Sequence, residues 1–390
     1  MKTTGILVRP FVRAATALTF FTCAGCGSGR SPTRLDSHAC DASEALFVAS
    51  DYTSSGAGAL SLDGTPPLMT TGADLGGDPA LAVSIATHRA FYVARDQDAV
   101  FELDRCSGAP IRKWRVSDPT HVGAANPQDV AVAANGSLWV ARYNVPTIAI
   151  VDPGGGATRT LDLARFDGDG NPNASAIRIV DDKAFVVLER VDDSDGLKSK
   201  QSSSVVRIDT QSGTVEAEIV LEGRNPFAAA EHGGALWLAE PGDFYVLGEP
   251  SAGIERFDFA SSTSRIIVHE NDLGGSVSEV AVADGCGAAI VADATGVNAT
   301  SLVLFDPVSG HVIASASHPV LATPGFSLEG LAWIVDAHGL NVLVVGDRGT
   351  RDANGYELHV FDREIGGCSL RLRPGAISIG QKPIAIHARP

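Results

Sequence analysis

The stretch Leu138-Trp139-Val140-Ala141 decides the fold of this 390-residue chain, because closely similar stretches recur along the sequence. A short apolar run rich in branched and aromatic residues predicts a buried β-strand. The seven copies begin at Leu46, Phe91, Leu138, Phe185, Leu236, Ala289 and Leu343. A second strand follows each copy and ends on an aspartate, at Asp63, Asp104, Asp152, Asp209, Asp258, Asp306 and Asp362. One unit used seven times predicts a repeat architecture.

Two further strands complete each unit. An apolar segment that often opens with proline, as at Asn126-Pro127 and Asn225-Pro226, precedes the quoted strand, and proline as the first residue of a strand costs no ladder hydrogen bond. Turn residues such as Asp306-Pro307-Val308-Ser309-Gly310 lead into the last strand. Successive copies lie about 45 to 54 residues apart, which is the length of a propeller blade. We therefore predict an all-β, seven-bladed β-propeller with four antiparallel strands per blade.

The two ends of the repeat region indicate how the ring closes. Blade one lacks its first strand, whereas the C-terminus carries a surplus proline-led strand over residues 382–388. We expect this strand to complete blade one and to leave no open sheet edge.

The N-terminal region has the layout of an export signal. A positive segment with Lys2, Arg9 and Arg13 precedes an apolar stretch over residues 14–22. Cys26, preceded by Ala24 and Gly25, resembles the lipidated cysteine of a bacterial lipobox. We predict a signal peptide over 1–25, lipidated Cys26 with a tether to residue 39, and the propeller over 40–390. An ordinary cleaved signal peptide is the alternative.

Location and charge limit the partners. By analogy with bacterial lipoproteins, glycine after the lipidated cysteine favours the outer membrane of the cell envelope, with membrane contact through the lipid anchor only. A formal net charge of −16 argues against nucleic acid, whose phosphates require lysine and arginine clusters.

Four cysteines remain after the anchor, in an oxidising compartment. We letter the strands of each blade a to d in chain order. The positions of the cysteines in the repeat predict the disulfides Cys40–Cys106 and Cys286–Cys368. Each would join the a–b turn of one blade to the c–d turn of the next blade. A Cys40–Cys368 bridge across the closure, or four free thiols, are the alternatives.

In its proline-led strands, its Leu-Trp-Val-Ala elements and its Asp-x-x-x-Gly turns, the chain resembles YVTN/NHL-type β-propellers, often described as YncE-like surface proteins. The resemblance covers nearly all of residues 40–390 and implies the fold, not an activity. The b–c loops vary most between copies, and variable loops on a rigid scaffold are where recognition usually occurs. Our candidate binding residues on this face are Arg142, Tyr143, Asp243, Phe244, Tyr245, Asp347 and Arg348.

Ser327-Leu328-Glu329-Gly330 resembles the opening blade of regucalcin/gluconolactonase-type propellers. This resemblance implies a divalent cation at the channel mouth, bound by Glu329 with Asn126 and Asn225. A second oxygen-rich segment, with Asp167, Asp169 and Asn171, resembles the start of a calcium loop. Ca²⁺ is therefore a possible cofactor at either place.

No nucleophile elbow, phosphate-binding glycine loop or zinc-ligand spacing is present in the sequence, so we name no catalytic residue. We predict a non-catalytic envelope lipoprotein that binds a protein or a glycan through one face of the propeller. A metal-dependent lactonase- or esterase-like hydrolase and an accessory subunit of an envelope enzyme are the alternatives.

Overall fold

The computed structural model describes residues 44–390 except positions 64, 66, 156, 157, 196, 197, 200, 245, 294–297, 353, 354 and 365. All described residues belong to one compact unit, Ser37–Pro390. They form seven antiparallel sheets. The innermost strands of successive sheets contact one another around a closed ring, which confirms the predicted seven-bladed β-propeller. The predicted signal peptide, Cys26 and the tether lie outside the described residues.

Each blade runs from the channel outward in the strand order a to d. Blade one has β30 (Pro383–Ala388), β1 (Ala45–Ser50), β2 (Ser55–Leu60) and β3 (Leu68–Thr71). Blade two has β4 (Pro79–Ser84), β5 (Arg89–Ala94), β6 (Ala99–Leu103) and β7 (Pro110–Arg115). Blade three has β8 (Pro127–Val132), β9 (Leu138–Arg142), β10 (Thr147–Val151) and β11 (Arg159–Asp162). Blade four has β12 (Ala174–Val180), β13 (Lys183–Leu188), β14 (Ser204–Asp209) and β15 (Val215–Val220).

The longest strands lie in blades six and seven. Blade five has β16 (Ala228–His232), β17 (Ala235–Glu240), β18 (Gly253–Asp258) and β19 (Thr263–His269). Blade six has β20 (Ser276–Ala283), β21 (Cys286–Ala292), β22 (Ala299–Phe305) and β23 (Val312–Ala314), with β24 (Leu321–Pro324) also paired to β22. Blade seven has β25 (Leu328–Val335), β26 (Asn341–Asp352), β27 (Gly355–Arg363) and β28 (Leu370–Leu372), with β29 (Ile377–Ile379) also paired to β27.

Helical segments in the described residues are single turns. They are the α-helical turn α1 (Glu270–Leu273) and the 3₁₀ turns Ala73–Leu75, Arg95–Gln97, Ala164–Phe166 and Asp193–Asp195. In the part of the chain that the structure describes, no helix has both the length and the apolar character needed to cross a membrane.

The C-terminal strand closes the ring as predicted. Strand β30 pairs antiparallel with β1, so that Ile386 lies opposite Phe47. Ile386 is buried against Phe47 and Ile334 in the core between blades one and seven. Each end of the chain therefore supplies part of the same sheet, and the two parts stabilise each other.

Alternate residues of the b strands supply two different cores. In β9, Trp139 packs toward blade four, whereas Leu138 and Val140 pack toward blade two. Successive side chains of a strand point to opposite faces of the sheet, and both faces of a blade are covered by neighbouring blades. This is why the repeat is apolar at consecutive positions instead of alternating with polar residues.

The recurring aspartates hold the c–d turns. Asp209 Oδ1 accepts hydrogen bonds from the backbone nitrogens of Gln211 (3.1 Å) and Ser212 (2.8 Å). Asp306 Oδ1 accepts equivalent bonds from Val308 (2.8 Å) and Ser309 (2.9 Å). An aspartate at the first turn position thus satisfies backbone donors that the ladder leaves free.

One of the two predicted disulfides is confirmed. Cys286, at the start of β21, is bonded to Cys368, in the c–d turn of blade seven, with the two Cα atoms 5.0 Å apart. This bridge joins blade six to blade seven on the face opposite the b–c loops. Cys106 is also disulfide-bonded. Its predicted partner Cys40 lies outside the described residues, so that pairing stays a prediction.

Candidate functional site: the channel mouth

A central channel with a volume of about 940 Å³ is lined by the a strands of all seven blades. We call the end of the channel where the a strands begin the channel mouth. The b–c loops lie at the same end, because strands a and b are antiparallel. A cavity of this volume is typical of a ligand-binding site.

Five a strands carry a β-bulge near the channel mouth, in blades one, three, four, six and seven. A bulge adds an unpaired residue and turns its side chain away from the regular alternation. The residues at these irregularities line the channel, and they are Ile384, Gln128, Ser175, Ser278 and Glu329. The bulges therefore place mainly polar side chains in a channel whose walls are otherwise largely apolar.

Asparagines open three consecutive a strands. Asn126, Asn173 and Asn225 have positive φ values of 55°, 51° and 58°, and asparagine adopts this left-handed conformation more readily than most residues. Asn225 is buried and its Nδ2 donates to the carbonyl oxygen of Gly242 (2.8 Å). This amide therefore fixes the b–c loop of blade five to the neighbouring a strand.

Arg142 and Tyr143 were both predicted to contact a partner, but they face different ways. Arg142 is 0% exposed, and its guanidinium donates to Asp118 Oδ2 (3.1 Å) and to the carbonyl oxygen of Val116 (3.1 Å). Its side chain does not reach the surface, which corrects the expected placement. Tyr143 lines the channel, and its hydroxyl donates to Glu189 Oε2 (2.6 Å).

The b–c loop of blade five contributes an aromatic edge to the channel mouth. Asp243 and Phe244 both line the cavity, whereas Tyr245 lies outside the described residues. Phe244 packs edge-to-face against Phe227, with the ring centroids 5.0 Å apart. Phe227 is 52% exposed, so this aromatic pair presents apolar surface to whatever occupies the channel mouth.

The candidate residues of blade seven already have partners in blades seven and one. Asp347 is buried and accepts a hydrogen bond from the backbone nitrogen of Gly349 (2.7 Å). Arg348 forms an ion pair with Glu329, and its guanidinium carbon lies 5.3 Å from the ring centroid of Tyr52. Arg348 therefore neutralises the carboxylate that was expected to bind a metal ion.

The predicted ligands Glu329, Asn126 and Asn225 do line one cavity. Glu329 is paired with Arg348, however, and the Asn225 amide is committed to the loop of blade five. Among the residues that the structure describes, no group of three or more histidine, cysteine, aspartate or glutamate side chains has the arrangement of a metal site. Cation binding at Glu329 would have to displace an arginine, which disfavours it.

The second candidate calcium segment forms a hydrogen-bonded loop. Asp167 Oδ1 accepts from the backbone nitrogen of Asp169 (3.3 Å) and from Gln201 Nε2 (3.0 Å). Asp169 Oδ1 accepts from the backbone nitrogen of Asn171 (2.8 Å), whose Nδ2 donates to the carbonyl oxygen of Tyr143 (3.2 Å). These contacts make the segment a set of asparagine- and aspartate-type turns beside the channel mouth. Calcium here stays a prediction.

The structure adds channel residues that the sequence patterns did not single out, chiefly Glu189, Phe227 and Glu279. The sequence did contain a pattern that could have drawn attention to Glu189. The residue directly after each copy of the repeated b strand is polar in all seven copies, at Ser50, Arg95, Arg142, Glu189, Glu240, Asp293 and Asp347. Two of these seven residues, Arg95 and Glu189, line the channel.

Comparisons with known proteins support the architecture. No family model matches this sequence, and no curated protein matches it. The chain is similar to apo AztD from Citrobacter koseri, with 15% identity, a TM-score of 0.50, and coverage of 89% of this chain and 98% of that chain. It is similar to U3-55K, with 11% identity, a TM-score of 0.53, and coverage of 79% and 83%. Similarity at this level shows the fold alone.

Proposed function

We propose that this protein is a non-catalytic binding propeller of the bacterial cell envelope, of the YVTN/NHL type and anchored by lipid at Cys26. Its binding site is the channel mouth together with the b–c loops of blades three to five. The partner we favour is a protein or glycan of the envelope.

One observation carries this proposal: bulged strands and loops from several blades direct polar and aromatic side chains into one cavity of about 940 Å³. Bulges at the same level of five blades are costly irregularities in otherwise regular sheets, and such irregularities are concentrated at functional positions. The exposed face of Phe227 beside polar groups is typical of a recognition site, where an apolar anchor is oriented by a few hydrogen bonds.

The hydrolase alternative is less well supported. It requires Glu329 to bind a divalent cation, but Arg348 already pairs with that carboxylate. The neighbouring Asp347 is buried and held by its own loop. A binding role needs neither residue to change partner.

Site-specific photo-crosslinking in cells tests the proposal. A benzoylphenylalanine replaces Phe227 in the channel mouth, and in a matched control it replaces Val308, which is exposed in the c–d turn of blade six. We expect a discrete adduct from position 227 that is absent from position 308. Equal adducts from both positions, or adducts from position 308 alone, would contradict a binding site at the channel mouth.

A further inference from the structure

The channel mouth holds a buried carboxylate, Glu189, that forms no ion pair within the described part of the chain. Glu189 directly follows strand β13, is 5% exposed and lines the channel. It accepts a hydrogen bond from Tyr143 (2.6 Å). No lysine, arginine or histidine nitrogen of the described residues forms an ion pair with it. A buried carboxylate with no cationic partner is costly for the protein.

Three cations line the channel, and each pairs with another acid. Arg178 pairs with Asp129, and Lys198 pairs with Asp195 (3.4 Å). Arg95 pairs with Asp78 (3.4 Å), and its charge also lowers the pKa of Glu189 without forming an ion pair with it.

The lining of the channel is anionic as a whole. Six acidic residues line it, namely Asp129, Glu189, Glu231, Asp243, Glu279 and Glu329, the last of which is neutralised by Arg348 from outside the lining. Three cationic residues line it, namely Arg95, Arg178 and Lys198. Burial lowers the pKa of His387, also in the channel, to about 4, so this imidazole adds no positive charge at neutral pH. A cleft lined by one sign of charge attracts ligands of the opposite sign.

Aromatic rings line the same cavity as the carboxylate. Ser175, next to Glu189, donates from its hydroxyl to the carbonyl oxygen of Pro226 (3.3 Å), the residue before Phe227. Phe227 and Phe244 then form the adjacent wall of the cavity. Aromatic faces attract organic cations through the ring quadrupole and also pack against their apolar parts.

The electrostatics of two channel carboxylates agree with a missing cation. Burial raises the pKa of Glu189 to about 7, although the hydrogen bond from Tyr143 and the charge of Arg95 oppose the shift. Burial raises the pKa of Glu279, in β20, to about 7 as well. A cation bound at Glu189 would lower the pKa of that carboxyl by stabilising its charged form.

We infer that the channel mouth binds an organic cation, with its amine or guanidinium group at Glu189 and its apolar part against Phe227 and Phe244. The inference rests on the proposed function and names the chemistry of the ligand. The cation belongs either to a small amine or to a lysine side chain of a partner protein.

Calorimetry at pH 8 with three matched probes tests the inference: phenethylamine, the neutral 2-phenylethanol and the anionic phenylacetate. A lysine-containing tetrapeptide and its acetyl-lysine form provide the second arm. We expect phenethylamine or the lysine peptide to bind at least about tenfold more tightly than its uncharged counterpart. Glu189→Gln should abolish this difference, whereas Glu364→Gln, at an exposed site outside the channel, should preserve it.

Each outcome has a defined meaning. Binding of the lysine peptide but not of phenethylamine assigns the cation to a partner protein. Equal or tighter binding of the neutral or anionic probe, weakened by Phe227→Ala, overturns the inference but leaves binding at the channel mouth intact. Failure of every cationic probe to bind also overturns it, and the crosslinking experiment then decides the proposed function by itself.

Discussion

Arg142 and Asp118 form a buried ion pair, with Nη2 3.1 Å from Oδ2, that joins the b strand of blade three to the connection from blade two. Thr147 also donates to Asp118 Oδ2 (2.9 Å). Burial opposes ionisation of Asp118, but hydrogen bonds from Thr120 and Thr147 and the charge of Arg142 lower its pKa to about 2. The pair therefore fixes the base of a loop whose next residue, Tyr143, faces the channel.

Removing the arginine should destabilise the fold. Arg142→Met leaves Asp118 charged and buried without its counter-ion, so we expect the free energy of unfolding to fall by about 3–5 kcal/mol. Tyr143→Phe, one residue along, should lower it by only about 1–2 kcal/mol, because it removes a single hydrogen bond to Glu189. Urea unfolding of both variants measures the difference. If both variants lost the same free energy of unfolding, this would contradict a mainly structural role for Arg142 and a channel-lining role for Tyr143.

The stability of blade five should depend on pH through Glu270. This residue is 0% exposed, and burial, together with the nearby charge of Glu249, raises its pKa to about 8. The folded state therefore binds the proton more tightly than the unfolded state, and stability is lost as pH rises from about 4.5 to 8. Glu270→Gln should remove this loss and raise the Tm by a few degrees at pH 8, with little change at pH 4.5.

Glu364→Gln, at an exposed site, is the control for that measurement. Thermal melts followed by circular dichroism at pH 4.5, 6 and 8 make the comparison. A Glu270→Gln variant that melts below the parent at pH 8 would show that the carboxyl is ionised and stabilising in the folded protein.

The bridge between blades six and seven should contribute to stability. It closes a loop with a sequence separation of 82 residues, and replacing both Cys286 and Cys368 with serine should cost about 2–4 kcal/mol by relaxing the unfolded chain. Reducing the parent protein also breaks the bridge of Cys106, so it should cost at least as much. Non-reducing peptide mapping of the same sample tests Cys40–Cys106, and a peptide that links Cys40 to Cys368 would exclude both predicted bridges.

Closure of the ring should require the C-terminal strand. Deleting residues 380–390 removes β30 and exposes the edge of β1, so we expect insoluble protein or a large decrease in Tm. A milder test compares two positions in β30. Ile386→Ser, in the core against Phe47, should cost about 3 kcal/mol or more. Ile384→Ser, at a bulge that faces the channel, should cost much less. Similar losses at both positions would show that the strand is not oriented as described.

The lipid anchor has its own test. Cys26→Ser should move the protein from the membrane fraction to the soluble fraction, because no other residue is expected to hold it at the membrane. Cys23→Ser is the matched control and should leave it in the membrane fraction. Release by the Cys23 variant alone would identify that cysteine as the lipidated residue.

Local sequence patterns were sufficient for the architecture. Strand position and turn type depend on residues near one another in the chain, as the Asp306 turn and the repeated b strands show. The closing strand and the Cys286–Cys368 bridge followed from repeat register, because equivalent residues of each blade occupy equivalent positions. These features needed no knowledge of how the blades pack.

The channel mouth required the tertiary structure. Arg142 and Tyr143 are adjacent in sequence, yet one is buried in an ion pair and the other faces the channel, because a one-residue step in a strand reverses the side-chain direction. The sequence indicated Glu329 as a metal ligand, but in the structure this carboxylate forms an ion pair with Arg348. The properties of Glu189 arise from burial together with Tyr143, Ser175 and Arg95, which lie on three different blades. The burial of a side chain and its ion-pair partners depend on residues that are distant in sequence. Local patterns in the sequence therefore determined the propeller, whereas only the packed ring determined which side chains line its channel.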